Sequence, residues 1–308
     1  MEHTEIVQRI KQLQKEKNAV ILAHYYTRPE VQDIADYIGD SLGLSQEAGK
    51  TTADIIVFCG VHFMAETASI ISPDKTVLIP AQGAGCSLAE SVSGYDLKKW
   101  KEANPDGIIV TYVNTTAEVK AYSDICCTSA NALKVVESIP KDKKILFAPD
   151  KNLGAWIAMK TGREMELWSG DCCVHERITA EMIKNKNAEY PDADILIHPE
   201  SNCSHDPEIV NMPNVYLYST SGMVNHVTQS PKKQFVIATE IETIHQMKKK
   251  NPGKEFIPVH PTTICGQMKK VSLQGVLDSL ENIQYEVKVP ENIREKAWLP
   301  IKRMLEII

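Results

Sequence analysis

The sequence repeats one short plan three times, in which an apolar run leads into two polar residues at positions i and i+2. The polar pairs are His24 and Tyr26, Tyr112 and Asn114, and His198 and Glu200. Their first members lie 88 and 86 residues apart, and a long fixed period usually marks a repeated structural unit. Side chains at i and i+2 of a strand point to the same side. The repeat therefore predicts one shared site to which three units contribute.

Three cysteines keep nearly the same period, since Cys86, Cys172 and Cys265 lie 86 and 93 residues apart. Three thiolates suit either a zinc ion or an iron–sulfur cluster. A cubane cluster on three cysteines would leave one iron without a protein ligand, free to act as a Lewis acid on substrate oxygen. Structural zinc usually takes four ligands from closely spaced pairs, and the chain contains no C-x-x-C. Three unrelated buried thiols remain the alternative.

Composition narrows the class of protein. With 43% hydrophobic and 24% charged residues, the 308-residue chain has the make-up of a soluble globular protein. A formal net charge of −6 argues against a nucleic-acid-binding face, which is normally basic. No apolar run approaches the length of a membrane span, and the N-terminal residues lack an export signal. We expect a cytoplasmic protein, with no nucleic-acid or membrane partner and with free thiols rather than disulfides.

Further apolar runs follow the opening strand of each repeat, and they are continuous rather than alternating. This is typical of parallel strands covered by helices on both faces. The predicted strands cover residues 54–60, 76–80, 124–129, 144–149, 215–220 and 234–240. Helical patterns cover residues 4–17, 31–37, 65–71, 129–138, 241–250 and 291–308. The alternation predicts an α/β fold of three units, at residues 1–98, 99–185 and 186–308, the last with a C-terminal closing helix.

Small hydroxyl residues stand at three strand-to-helix turns. They are Ser41, Ser129 and the pair Ser219-Thr220. Each alone would serve as an N-cap. Together they predict a polyanionic small substrate, because the free N–H groups at a helix start favour carboxylate or phosphate.

A series of short motifs runs in order along about residues 18–275. The segments are His24-Tyr25-Tyr26, Gly39-Asp40-Ser41-Leu42, 63–68, 85–89, 111–115, Thr128-Ser129, Pro149-Asp150 with Leu153-Gly154, 168–175, His198-Pro199-Glu200, 219–222, Ala238-Thr239-Glu240, and Cys265 with Met268-Lys269. Taken in this order, they resemble the motifs of the quinolinate synthase family. The chain departs from the family pattern at Ser201, where the family often has Cys, and in a short insertion between Glu200 and Ser219.

The resemblance implies three homologous three-layer α/β domains, with parallel sheets, around a pseudo-threefold axis. It implies a [4Fe-4S] cluster with three cysteine ligands, Cys86, Cys172 and Cys265, and one iron open to substrate, and it leaves Cys173 as a bystander. The implied reaction condenses iminoaspartate (iminosuccinate) with dihydroxyacetone phosphate to quinolinate, phosphate and water, for NAD biosynthesis. A transient contact with the enzyme that supplies iminoaspartate is also expected.

The same matching implies site residues. Tyr26, His198 and Glu200 are expected to move protons. The implied substrate-binding residues are His24, Ser41, Tyr112, Val113, Asn114, Ser129, His198, Pro199, Glu200, Ser219 and Thr220.

Two other classes of function stay open at this stage. An electron-transfer or redox-sensing iron–sulfur protein usually has four clustered cysteine ligands, which the dispersed cysteines here do not provide. A zinc-dependent hydrolase or lyase would use the same thiols and polar pairs. A nucleotide-binding module is disfavoured because the chain has neither a G-x-G-x-x-G nor a P-loop pattern.

Overall fold

The chain forms three separate four-stranded sheets, and all pairings between their strands are parallel. The computed structural model describes residues 2–307; Met1 and Ile308, the outermost residues of the first and third predicted units, lie outside that range. The strands are β1 (Ala19–His24), β2 (Tyr37–Gly39), β3 (Ile55–Cys59) and β4 (Thr76–Leu78) in the first sheet, β5 (Ile108–Tyr112), β6 (Ile125–Cys127), β7 (Ile145–Ala148) and β8 (Glu166–Leu167) in the second, and β9 (Asp194–Ile197), β10 (Val215–Leu217), β11 (Gln234–Ala238) and β12 (Glu255–Pro258) in the third.

The three sheets share one strand order. Within each unit the second strand lies at one edge and is followed by the first, third and fourth strands. The orders are β2-β1-β3-β4, β6-β5-β7-β8 and β10-β9-β11-β12. In each unit the chain crosses from one side of its opening strand to the other, and ligands collect at the carboxyl end of a sheet where the strand order reverses in this way. The strands that end in the repeated polar pairs therefore occupy the position best suited to hold a ligand.

Helices flank the sheets, which confirms the predicted three-unit α/β fold. They are α1 (His3–Glu16), α2 (Pro29–Ile34), α3 (Ser41–Lys50), α4 (His62–Ile71), α5 (Ser87–Glu90), α6 (Gly94–Ala103), α7 (Ala117–Ala121), α8 (Ala132–Glu137), α9 (Lys151–Thr161), α10 (Ala180–Glu189), α11 (Pro207–Val210), α12 (Thr220–Gln229), α13 (Thr243–Lys250), α14 (Leu273–Asn282) and α15 (Glu291–Glu306). All six residues of β1 are buried, as a strand covered on both faces requires.

The last two helices return to the earlier units. Helix α14 packs on α1 and β3, and α15 packs on α7, β6 and α4. The side-chain amide of Asn131 donates to the carbonyls of Met304 and Ile307 at 2.9 and 2.8 Å, which fixes the end of α15 against the second unit. The predicted closing helix thus joins the first and second units.

Three predicted elements were wrong in detail. The strand predicted over residues 215–220 ends at Leu217, because Ser219 caps α12 and Thr220 begins that helix. The helix predicted over residues 31–37 ends at Ile34, and Tyr37 begins β2. Helix α8 begins at Ala132 rather than Ser129, because Asn131 accepts the backbone N–H of Thr128 and a turn precedes the helix. Among residues 2–307, no helix has both the length and the apolar character needed to cross a membrane.

Candidate functional site

The carboxyl ends of the three sheets open into one cavity, which is lined by side chains from all three units. His24 ends β1, Tyr112 ends β5 and His198 directly follows β9. Their side chains line the cavity together with their i+2 partners Tyr26, Asn114 and Glu200. The repeat in the sequence thus brings six polar side chains to one place.

Nine of the residues predicted to act on or bind substrate line this cavity. They are His24, Tyr26, Ser41, Tyr112, Asn114, Ser129, His198, Glu200 and Thr220.

Three residues of that prediction lie outside the cavity lining. Val113 and Pro199 are the middle residues of their pairs, and they lie in the bend after β5 and in the turn after β9; both are buried. Ser219 instead caps α12, where its hydroxyl oxygen accepts the N–H of Gly222 at 3.3 Å.

The three periodic cysteines line the same cavity. Each lies in the segment that follows the last strand of its unit, so the shared topology explains why they meet. They are Cys86 after β4, Cys172 after β8 and Cys265 after β12. Cys173, the expected bystander, is exposed and also borders the cavity. The strand cysteines Cys59, Cys126 and Cys127 are buried in the core.

Burial keeps the three cavity thiols protonated in the absence of a metal. It raises the pKa of Cys86 to about 12 and raises the pKa values of Cys172 and Cys265, because a thiolate is poorly solvated there. Among the described residues that line the cavity, none is a lysine or an arginine. A bound metal would therefore be the charge that stabilises these thiolates.

Glu200 lies at the centre of the hydrogen bonds in the cavity. One carboxylate oxygen accepts the Tyr112 hydroxyl and the Asn114 amide, and the other lies 2.7 Å from Nδ1 of His175. Burial alone would raise the pKa of Glu200, but the nearby imidazoles of His198 and His175 and the hydrogen bonds from His175 and Tyr112 outweigh it and lower the pKa to about 2. Glu200 is thus a carboxylate at neutral pH.

A chain of hydrogen bonds leads from Glu200 to Tyr26. Nε2 of His175 lies 2.9 Å from the Thr239 hydroxyl, which lies 2.8 Å from the Tyr26 hydroxyl. Since the Glu200 carboxylate can only accept, we assign the His175 proton to Nδ1, and Nε2 then accepts from Thr239. Tyr26 also contacts the hydroxyl of Thr220 at 2.9 Å. The arrangement connects the His175–Glu200 pair to the half-buried phenol of Tyr26.

His24 and His198 are held in the same way in the first and third units. Nδ1 of each ring accepts the backbone N–H of the residue two positions on, at 3.2 Å for Tyr26 and 3.4 Å for Glu200. Burial lowers the pKa of His24 to about 4 and that of His198 to about 3, so both rings are neutral. Each neutral ring then carries its proton on Nε2, which can donate to a ligand in the cavity.

Asp40 links the first and third units at the cavity wall. One oxygen caps α3 by accepting the N–H of Gly43, and the other accepts the Ser219 hydroxyl and the N–H of Ser221 at 3.1 and 3.3 Å. The starts of α3 and α12, where Ser41 and Thr220 lie, are thereby held side by side.

Sequence reasoning predicted no catalytic, substrate-binding or metal-ligand role for several residues that build the site: Asp40, His175, Thr239, Glu240 and Lys269. Two signals were present. His175 lies three residues after Cys172, and the Thr239-Glu240 pair follows β11 just as the repeated pairs follow β1, β5 and β9.

Comparison with known proteins agrees with this geometry. The family model of the quinolinate synthetase A protein matches residues 8–306. The quinolinate synthase of Pyrobaculum aerophilum is 53% identical over 301 residues, covering 96% of this chain and 98% of that protein. The chain belongs to the quinolinate synthase family.

Relatives from other organisms also align with this chain over nearly their whole length. The quinolinate synthase of Geobacter metallireducens is 49% identical over 307 residues, covering 100% of this chain and 99% of the relative. The enzyme of that name from Thermus thermophilus is 47% identical over 302 residues, covering 98% of this chain and 97% of the relative. The chain is therefore an enzyme of this family along its whole described length.

Proposed function

We propose that this chain condenses iminoaspartate with dihydroxyacetone phosphate to give quinolinate, phosphate and water, as a step of NAD biosynthesis. Family membership supports quinolinate as the product. The observation that carries the proposal is the cavity itself, in which three thiols from three units border a hydrogen-bonded chain from Glu200 to Tyr26.

The donor set fits a [4Fe-4S] cluster held by Cys86, Cys172 and Cys265. All three thiols border one cavity that is lined by two carboxyl groups, Asp40 and Glu200, but by no lysine or arginine of the described chain. Cys173 also borders the cavity but is exposed, and a cluster held by the three periodic cysteines would keep one iron for substrate. When bound, this cluster supplies a Lewis acid for substrate oxygens.

The chain's own residues supply proton transfer. Burial and the charge of Glu200 raise the pKa of Tyr26 well above its ordinary value, so Tyr26 rests as a neutral phenol. Its proton leaves when Thr239 accepts it and the Thr239 hydroxyl proton passes to Nε2 of His175. The resulting imidazolium is stabilised by the Glu200 carboxylate at 2.7 Å, by the logic of a hydrolase triad. Tyr26 can then take a proton from substrate during isomerisation or return one during dehydration.

The cavity offers uncharged hydrogen-bond donors to the anionic groups of the substrates. The Nε2–H groups of His24 and His198, and the hydroxyls of Ser41, Ser129 and Thr220, are placed to bind carboxylates and phosphate. His24, His198 and Tyr112 are each at most 5% exposed. Burial of these groups shields the imine substrate from hydrolysis by bulk water.

One observation favours a second candidate, a zinc-dependent lyase or hydrolase. Cys172, His175 and Glu200 offer a sulfur, a nitrogen and an oxygen that all lie within 4.8 Å of one another, and such mixed sets bind single zinc ions. This set leaves Cys86 and Cys265 without a role, so we prefer the cluster.

The proposed reaction also suggests the compartment in which the enzyme works and a protein that it contacts. We propose that the enzyme works in the cytoplasm, where its thiols stay reduced. We also propose that it meets the enzyme that supplies iminoaspartate transiently, because this imine is short-lived in water.

The test is anaerobic purification followed by iron, sulfide and zinc analysis and an assay of quinolinate from the two substrates. We expect four irons and four sulfides per chain and quinolinate production that stops after exposure to air. Zinc without sulfide would favour the second candidate, and a cluster without quinolinate production would refute the proposed reaction.

A further inference from the structure

A buried ion pair that the proposed reaction does not use lies behind the cavity wall. Nζ of Lys269 lies 2.6 Å from Oε1 of Glu240, and their side chains are 15% and 0% exposed. Glu242 is a more distant partner of Lys269 at 3.9 Å. Two buried charges lose much of their hydration, so such a pair persists only where its geometry is good and its other hydrogen bonds are satisfied.

Both members also contact groups of the proposed site. Oε1 of Glu240 accepts the backbone N–H of Cys265 at 3.2 Å. The Lys269 ammonium donates to the carbonyl of Tyr26 at 2.5 Å. The pair therefore joins the third cysteine, from the third unit, to the phenol-bearing segment of the first unit.

The remaining hydrogen bonds of the pair hold it in place. Oε2 of Glu240 accepts the N–H of Glu242 at 2.9 Å. Nε of Arg28 donates to the carbonyl of Lys269 at 2.9 Å, and the N–H of Lys269 lies 3.2 Å from the Cys265 carbonyl. The segment around Cys265 has no regular strand or long helix of its own, so these contacts define its position.

We propose that Glu240 and Lys269 form a positioning pair that fixes the Cys265 thiol at the cavity and, through the Tyr26 carbonyl, sets where the Tyr26 phenol lies. This inference rests on the proposed function, because it concerns how that site holds the cluster ligand Cys265 and the proton-transfer residue Tyr26 in fixed positions relative to each other. Groups that orient metal ligands from behind typically change metal affinity or activity by about 10- to 100-fold when removed.

The experiment compares Lys269→Met, Glu240→Gln and their double variant with the wild type, all reconstituted anaerobically with iron and sulfide. Lys270→Met is the matched control, because Lys270 is the exposed neighbour that donates to the Gly83 carbonyl and not to Glu240. Three quantities are measured: the rate at which a chelator bleaches the cluster, the electron paramagnetic resonance spectrum of the reduced cluster, and the kcat per intact cluster.

We expect Lys269→Met and Glu240→Gln to lose the cluster at least about tenfold faster, with an altered spectrum and a lower kcat per cluster. The double variant should be no worse than the poorer single variant, because the pair acts as a unit. Lys270→Met should match the wild type. If Lys269→Met does not fold, Lys269→Gln, which keeps a donor without the charge, replaces it in the same comparison.

The outcomes separate this inference from the proposed function. Variants that lower the thermal midpoint but bleach at the wild-type rate, with an unchanged spectrum, would overturn the positioning role. A wild-type protein that binds no iron and sulfide would instead refute the proposed function.

Discussion

Thr239 gives the sharpest test of the hydrogen-bonded chain, because it connects Tyr26 to His175 without lining the cavity. The change Thr239→Val keeps the shape of a fully buried side chain and removes the hydroxyl. Thr239→Ser keeps the hydroxyl and removes a methyl group. The two variants therefore separate the hydrogen bonds of this side chain from its packing.

The expected size of the effect follows from those contacts. Two hydrogen bonds at 2.8 and 2.9 Å are lost in Thr239→Val, which should destabilise the fold by about 1–3 kcal/mol. Acid–base groups contribute about 100-fold or more to rate, so kcat should fall at least about 100-fold, or about 2.7 kcal/mol in activation free energy. The KM values should change little, since Thr239 is outside the cavity lining.

The assay is steady-state quinolinate formation by anaerobically reconstituted protein, normalised to iron and sulfide content. Thr239→Ser should keep most of the wild-type kcat. A Thr239→Val enzyme with more than half of the wild-type kcat would refute the proton path through His175. Equal losses in both variants would mean that turnover depends on the fit of the side chain and not on its hydroxyl, which would also refute the proton path.

Three further predictions address the metal site, the central carboxylate and a buried lysine. Substitution of Cys86, Cys172 or Cys265 by alanine should abolish the iron–sulfur absorbance. Cys173→Ala should keep both absorbance and activity. If Cys173→Ala lost the cluster and Cys172→Ala kept it, Cys173 would be the ligand instead of Cys172. Glu200→Gln should keep the iron and sulfide content and lose turnover by about 100-fold or more; near-normal rates would end its acid–base role. Lys120 is fully buried, and burial lowers its pKa from 10.5 to about 8. Between those values the unfolded chain binds more protons, so the free energy of unfolding should rise from pH 8 to 10.5 by up to about 3 kcal/mol. Lys120→Met should lack this rise in denaturant titrations, and an identical pH dependence in both proteins would contradict the burial effect.

The sequence alone was sufficient for the fold class because burial leaves a direct pattern. Residues 19–24 form a continuous apolar run that ends in His24, and they form a strand buried along its whole length. Three short strands were missed for physical reasons. The strand Glu166–Leu167 has only two residues, too few to show a pattern. Tyr37 is spaced from Val31 and Ile34 like one face of a helix, yet it begins a three-residue strand and is 47% exposed. The brief run Glu255–Pro258 carries little periodicity.

The candidate site was predictable only in part. The repeated polar pairs pointed to His24 and Tyr26, and the common period pointed to the three cysteines. The strand alternation assumed for the pairs was wrong, because Tyr26 lies in the turn after β1 and Glu200 in the turn after β9. The contacts of Thr239 and Lys269 depend on how different units are arranged against each other, which local patterns do not contain. Thr239 bonds to Tyr26 across 213 residues of sequence, and Lys269 bonds to the Tyr26 carbonyl across 243 residues.

The central claim is that thiols from three α/β units meet to hold one metal cluster beside the Glu200–Tyr26 chain. Anaerobic crystals measured at the iron absorption edge test it most directly. The account predicts one compact peak of anomalous density in the cavity, bonded to the sulfurs of Cys86, Cys172 and Cys265. Iron bound elsewhere, or one of these sulfurs pointing away from the peak, would contradict it.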